Sequence, residues 1–302
     1  MASLKAWIKA ARLRTLPLAT TCVMIGGALG FRENAGASPL ILGLAAFVVV
    51  KLQTLANFAN DYGDYMKGTD DENRPDRALA SGDINPKEMR AKMIFNAVVI
   101  FIAGCSTVYL AFKDTSIDWN ALGLVGLGVA SIAAAFKYTM GKSAYGYRGL
   151  GDLFVLIFFG YVGVLGTAFL MTHTFNTEWL LPATFSGLMA VAVLNLNNMR
   201  DHVNDKASGK NTLVVKMGFN SAKIYHTVVL LTAWACLLAF LYGCCNEQWH
   251  GTHWYALISL LTIKHLVFVW KTEGPKLLDP ELKKIALIAF VTGMFMLMSV
   301  TH

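Results

Sequence analysis

Two short runs of Asn and Asp carry the residues best suited to chemistry. The first is NDYGD, with Asn60, Asp61 and Asp64; the second is NNMRDHVND, with Asn197, Asn198, Asp201 and Asp205. Aligning Asn60 with Asn197 sets Asp64 opposite Asp201, so N-x-x-x-D occurs twice, as a short internal repeat. Oxygen-rich clusters suit hard divalent cations, and Mg²⁺ commonly takes one or two carboxylates together with substrate phosphates. Basic residues interleave with the acids. Arg74 and Arg77 follow the first run, Arg200, Lys206 and Lys210 surround the second, and Arg12, Arg14 and Lys142 lie nearby in loop positions. Carboxylates alone would repel a diphosphate by about 1 kcal/mol per charge pair at ~4 Å in water, and about 4 at an effective dielectric of 20. A bridging Mg²⁺ reverses that sign. The combination points to a phosphorylated substrate held through metal and bases together.

The spacing places each run on one helical face. At 3.6 residues per turn, Gln53, Asn57, Asn60, Asp61 and Asp64 fall within a stripe of about 100°. Asn197, Asn198, Asp201 and Asp205 do the same, while Asn195 points away by roughly 160° from Asn197. Each stripe closes an apolar run, ILGLAAFVVVKLQTLANFA before the first and LLPATFSGLMAVAVLNL before the second. A charge at mid-membrane costs about 2.5–3.5 kcal/mol on insertion scales, so such stripes belong against an inward cavity near a helix end.

The elements that must position these faces are membrane helices. Of the 302 residues 55% are hydrophobic and only 15% charged, against about 25% charged in soluble domains. Nine apolar runs reach spanning length, at about 15–31, 40–60, 93–112, 120–139, 152–171, 180–199, 223–243, 254–271 and 284–301. Lipid satisfies no open backbone groups, so the fold class is all-α, a polytopic membrane protein of about nine transmembrane helices with two cytoplasmic cap loops, at about 61–92 and 200–222. Residues 1–302 form one integral membrane domain. The basic stretch KAWIKAARLR before the first span is expected to lie along the interface, anchored by Trp7. On this count 23 of the 26 Lys and Arg fall on one side, with Arg32 and Lys113 opposite and Lys51 within a span. That bias puts the N-terminus in the cytoplasm and the C-terminus outside. The +7 net charge is thus mainly topology, and nucleic acid is not an expected partner. The five cysteines have no metal-ligand spacing.

These residues resemble the UbiA superfamily of intramembrane prenyltransferases. Its first motif, N-D-x-x-D-x-x-x-D, is matched by Asn60, Asp61 and Asp64, although the ninth position is Gly68 and the next acid is Asp70. Its second, D-x-x-x-D, is matched by Asp201 and Asp205. The run YTMGK, Tyr138 to Lys142, is similar to its Y-x-x-x-K. Within the superfamily the chain resembles the branch that prenylates 1,4-dihydroxy-2-naphthoate in menaquinone synthesis. That branch's N-D-Y-x-D…K-G-x-D is matched by Asn60 to Asp70, its R-x-x-x-S-G by Arg77, Ser81 and Gly82, its Y-x-G-L-G-E/D by Tyr147 to Asp152, and its second block by NNMRDHVNDKASGKNTL. The resemblance implies a bilayer enzyme of the bacterial inner membrane, with Mg²⁺ as cofactor and a polyprenyl diphosphate and 1,4-dihydroxy-2-naphthoate as partners. It implies Asp64, Asp201, Asp205, Lys142 and Tyr138 as catalytic residues. Asn60, Asn197, Arg14, Arg77, Arg200 and Lys210 would bind the diphosphate, and Asp61, Asp64, Asp70, Asp201 and Asp205 the metal. Asp152 is either a helix cap or an acceptor-side group.

Two other readings compete. A UbiA-type enzyme for another ring, 4-hydroxybenzoate or homogentisate, shares the metal motifs and differs only in branch motifs. A secondary transporter would place ionisable groups near the midplane on interrupted helices, whereas here they sit at cytoplasmic helix ends.

Overall fold

A computed structural model describes residues 2–70, 77–115, 117–141, 143–243 and 252–300. Among them the elements are all helical. A short helix α1 (Leu4–Ala11) leads through a 3-10 turn into α2 (Leu16–Glu33). There follow α3 (Pro39–Met66), α4 (Pro86–Phe112) and α5 (Trp119–Lys137). The fifth span joins α6 (Gly151–Val155), a π-helical segment Leu156–Leu165 and α7 (Gly166–Thr172). Then come α8 (Leu180–Ala207), the small α9 (Leu213–Met217), α10 (Phe219–Gly243), α11 (Thr252–Lys271) and α12 (Asp279–Val300). Nine helices among the described residues are long and apolar enough to cross a membrane, matching the nine expected runs.

The ends differ from the hydropathy reading in one instructive way. α3 and α8 continue well past the apolar runs, to Met66 and Ala207. Both acidic motifs are therefore helical, and the cap loops are shorter than expected; the second also contains α9. Local chemistry sets other ends. Asn85 caps α4 by accepting from Lys87 N (2.8 Å) ahead of Pro86, and Asp118 caps α5 through Asn120 N and Ala121 N.

Packing forms two apolar cores. One joins α2, the π segment, α8, α10, α11 and α12 around Ile25, Phe185, Met189 and Phe240. The other joins α1, α3, α4 and α5 to the first cap loop through Leu55, Phe58, Leu79, Ile84 and Met89. α1 docks on α3, burying Ala6 and Ala10, and Trp7 meets Phe58 edge-on at 5.5 Å. Trp7 thus contacts its own protein as well as any interface. Outward faces stay apolar, with Ile94, Phe95, Val98 and Ile102 exposed on α4 and Leu257, Leu260 and Leu261 on α11. In water such a continuous surface would aggregate; against lipid it is the required solvent face.

A cavity of about 360 Å³ lies between the two cores, lined by α2, α3, α4, α5, the π segment and α8. The π segment borders it with Phe158, Phe159, Val162 and Gly163, and such widened turns often mark functional sites. Glycine lets this segment press onto α8: a Cβ at Gly160 would stand 2.7 Å from Ala183 O and 3.2 Å from the Gly187 Cα.

Candidate active site

The cavity is polar at one end, where Arg12, Arg14, Gln53, Asn57, Asn60 and Asn197 line it; Val48, Leu52, Phe101, Phe158 and Phe159 line the rest. The polar stripe of α3 runs along this end and divides into two roles. Gln53 and Asn57 are structural ties. Asn57 Nδ2 donates to Ala11 O (2.8 Å) and Thr15 Oγ1 (3.0 Å), and Gln53 Nε2 donates to Thr15 Oγ1 (3.1 Å). They pin the turn between α1 and α2, where Arg12 takes a left-handed conformation, φ 48°. That turn aims Arg12 inward. Its partners orient the Asn60 amide, which donates to Asp64 Oδ2 (2.9 Å) and accepts from Arg12 Nη1 (3.1 Å). Arg12 Nη2 is buried with no hydrogen-bond partner.

Asp64 is the centre of the cluster. It is 1% exposed, accepts from the Tyr147 hydroxyl at 2.8 Å, and lies 3.3 and 3.5 Å from Lys210 Nζ. Lys210 also approaches Asp205 at 4.0 Å, so one ammonium serves a carboxylate from each motif helix. The G-K spacing explains how. Gly209 adopts φ 73° just past the end of α8, and Lys210 N returns to Asp205 O at 2.8 Å. This left-handed cap reverses the chain and sends the lysine back across the helix end. Burial pushes the Lys210 ammonium down, but Asp64 and Asp205 outweigh it and hold the lysine above its ordinary range.

Tyr147 joins three segments beyond the helix ends. Its hydroxyl meets Thr69 Oγ1 at 2.5 Å while donating to Asp64, so Thr69 donates to the phenol and the phenol to the carboxylate. Lys67 Nζ stands 3.7 Å over the ring and Lys210 Nζ 5.3 Å from it. Asn211 N donates to Tyr147 O at 3.1 Å. Burial first, then the Asp64 charge, raise the phenol far above its usual value, so it remains a donor.

The other expected residues are distributed around this centre. Asp61 is buried with both oxygens lacking a hydrogen-bond partner; Arg12 and the amides of Ala78 and Leu79 are the positive groups near it. Asp70 pairs with Arg77 at 3.2 Å, both buried, clasping the first cap loop. Asp201 accepts both arms of Arg200, at 2.9 and 2.7 Å, and Arg200 also donates to Asn197 Oδ1 (2.8 Å) and to Asp279. Arg14 reaches Asp279 at 3.2 Å. Arg14, Asp279, Arg200 and Asp201 form one chain of charge from the 3-10 turn before α2 through α12 to α8. Tyr138 is half-buried and borders the cavity beside Tyr145, their rings 5.3 Å apart. Asp152 is buried and accepts from Tyr225 at 3.2 Å. Lys142, with Arg74, Asp71, Glu72 and Asp76, lies outside the described residues. Asn195 is fully buried and its amide has no hydrogen-bond partner, in keeping with its position off the active face.

Sequence reasoning missed Tyr147, Thr69 and Asp279 as site residues. Tyr147 opens a branch motif, so a signal existed; Asp279 opens α12 and belongs to no motif. The donor set suits a magnesium diphosphate. It is built of carboxylate and amide oxygens, it includes the two orphaned oxygens of Asp61, and it places two buried carboxylates around one cation. Among the described residues no three acidic, thiol or imidazole groups converge on one point. A divalent ion held here would draw on Asp64 and Asp205, with Asp61 and Asn60 adjacent and substrate oxygens completing its shell.

Comparison with known proteins shows the family and the fold. A model of the UbiA prenyltransferase family matches residues 19–298. A 1,4-dihydroxy-2-naphthoate octaprenyltransferase from Haemophilus influenzae is 40% identical over 291 residues, covering 95% of this chain and 93% of that protein. The apo structure of a UbiA homolog from Aeropyrum pernix K1 superposes with a TM-score of 0.69 at 18% identity, covering 94% of this chain and 99% of that one. A UbiA homolog from Archaeoglobus fulgidus bound to GPP and Mg²⁺ gives 0.60 at 14% identity, covering 97% and 99%. At such identities these structures speak for the fold.

Proposed function

The chain belongs to the UbiA prenyltransferase family, and from that premise we propose that it transfers a polyprenyl group from its diphosphate to 1,4-dihydroxy-2-naphthoate. Diphosphate and CO₂ leave, and a demethylmenaquinol-type product remains. The chain is a multi-pass membrane protein and a prenyl-transferring enzyme. Its setting is the bacterial inner membrane, with the N-terminus cytoplasmic and the C-terminus outside.

One observation supports this most strongly. A buried cluster built from both motif helices, Asp64, Lys210 and Asp205, adjoins through Asn60 and Arg12 the polar end of an otherwise apolar cavity. The apolar part takes prenyl units; the polar end takes the diphosphate. Mg²⁺, when bound, supplies positive charge to the departing diphosphate. Asp64 and Asp205 would hold it, with Asp61, Asp201 and Asp70 as further acids of the set.

The residues themselves do the rest. Arg12, Asn60, Asn197 and Lys210 present donors to the diphosphate oxygens, and Arg14, Arg77 and Arg200 place further charge around them. The allylic C–O bond breaks with its electron pair passing to the diphosphate. A ring carbon of the dihydroxynaphthoate then attacks the allylic cation. Loss of the carboxylate as CO₂ returns a bonding pair to the ring. The lining of Phe101, Phe158 and Phe159 keeps water from the cation. Tyr138, at the boundary of the two parts, and Lys142 complete the proposed catalytic set.

The test is an acceptor panel. Membranes carrying the protein are incubated with a polyprenyl diphosphate, Mg²⁺ and, separately, 1,4-dihydroxy-2-naphthoate, 4-hydroxybenzoate or homogentisate. Prenylated product is expected with the naphthoate; turnover confined to another ring would overturn the acceptor assignment.

A further inference from the structure

We propose that Lys210 is a resident counter-cation: its ammonium stands between Asp64 and Asp205 in place of a divalent ion and moves to the diphosphate when the substrate arrives, so that metal and diphosphate bind only together. This rests on the diphosphate reading above and specifies how the site is charged before substrate comes.

The geometry is that of a cation between two ligands. Lys210 Nζ lies 3.3 and 3.5 Å from the two oxygens of Asp64 and 4.0 Å from Asp205 Oδ1. The two acids come from different helices, α3 and α8, and are 1% and 4% exposed; Lys210 is 7% exposed. A lysine is suited to this post. Its charge is a compact point on a four-carbon stem, so it fits between carboxylates as a metal ion does and leaves without breaking a fork of bonds. Arg200 is the contrast, with three of its nitrogens committed to Asp201, Asn197 and Asp279. The backbone anchor is independent of the side chain, because Gly209 and the bond from Lys210 N to Asp205 O fix where the stem begins. The Tyr147 ring, 5.3 Å from Nζ, gives the ammonium a surface to slide over rather than a bond to break.

Energetic consequences follow from the single ammonium. Mg²⁺ alone must evict Lys210 and leave a buried cation without its carboxylates, which is strongly unfavourable. A diphosphate alone meets two carboxylates still in place. Together they give each carboxylate and the lysine a partner: the ion takes the carboxylates and the diphosphate oxygens take the lysine. Coupling of this kind is reciprocal. A mere salt-bridge staple between α3 and the second cap loop would give no such coupling.

The experiment compares wild type with Lys210→Met in detergent. It reads the melting temperature against MgCl₂ alone, inorganic diphosphate alone, and both. Wild type is expected to respond only to the pair. Lys210→Met is expected to respond to MgCl₂ alone, with half-saturation about 10- to 100-fold below any wild-type response, the range typical of coupled sites. Lys210→Gln, which keeps a polar side chain and loses the charge, is expected to behave likewise and serves if the methionine variant does not fold. If MgCl₂ alone shifts wild type and variants equally while the pair still stabilises wild type, the counter-cation role is wrong and the diphosphate reading stands. If the pair leaves wild type unmoved, the diphosphate reading itself falls.

Discussion

Asp64 gathers a phenol, an amide and an ammonium around one buried carboxylate, and each partner has a separable effect. Tyr147→Phe keeps the ring under Lys67 and Lys210 and removes only the hydroxyl. A hydrogen bond to a charged group contributes about 1.5–3 kcal/mol. Turnover should fall roughly tenfold to a hundredfold, with the Mg²⁺ needed for half-maximal rate rising; steady-state kinetics at varied Mg²⁺ reads both. Since the Thr69 hydroxyl reaches the Asp64 carboxylate through the Tyr147 hydroxyl, Thr69→Val, which keeps the bond from Thr69 N to Asp64 O, should add little in the Tyr147→Phe background. Additive losses would show that Thr69 acts by another route. The pH response follows from Lys210. Its folded value is held above the ordinary 10.5, so its contribution to stability is complete below pH 10.5 and is lost as pH rises through the raised value. Melting curves should therefore show no loss from this group between pH 7 and about 10, and Lys210→Met should weaken the decline above that range.

At the scale of elements, the π segment and α8 share a glycine contact that sets the wall of the cavity. With Ala183 O only 2.7 Å from a Cβ at Gly160, Gly160→Val must push two backbones apart, at a cost of about 1–3 kcal/mol. A lowered melting temperature together with altered preference for prenyl chain length is the expected result. An unchanged melting temperature would contradict the close packing. The sequence made the helices and their acidic faces legible, because apolar length and 3.6-residue spacing are local properties. Asn60, Asp61 and Asp64 were readable as one face for that reason. What escaped is set by tertiary structure. Nothing local distinguishes Gln53 and Asn57, which tie α3 to the turn at Arg12, from Asn60, which bonds Asp64. Asp279 holds Arg14 and Arg200 from the start of α12, a partnership fixed only when the turn before α2, α8 and α12 come together. By sequence the π segment is an ordinary span, since its apolar composition is indifferent to helix type.

For the whole molecule, two apolar cores with a cavity between them, outward apolar faces and both acidic motifs at helix ends form one design for parting a lipid-soluble chain from a charged leaving group. The proposed orientation puts Ser3, the cap of α1, on the cytoplasmic side and Ser299, at the end of α12, outside. Single-cysteine variants at those positions, in a background with the native cysteines replaced, should label oppositely with a membrane-impermeant maleimide in intact cells; labelling of both from outside would contradict it. In the proposed reaction prenyl transfer is coupled to loss of the ring carboxyl. The most direct measurement uses 1,4-dihydroxy-2-naphthoate labelled in the carboxyl carbon, a polyprenyl diphosphate and Mg²⁺ with the purified protein in bilayers. One labelled CO₂ per prenylated product is expected, abolished by chelation of the metal and by Asp64→Asn. A prenylated product that retains the label, or undiminished turnover in Asp64→Asn, would contradict it.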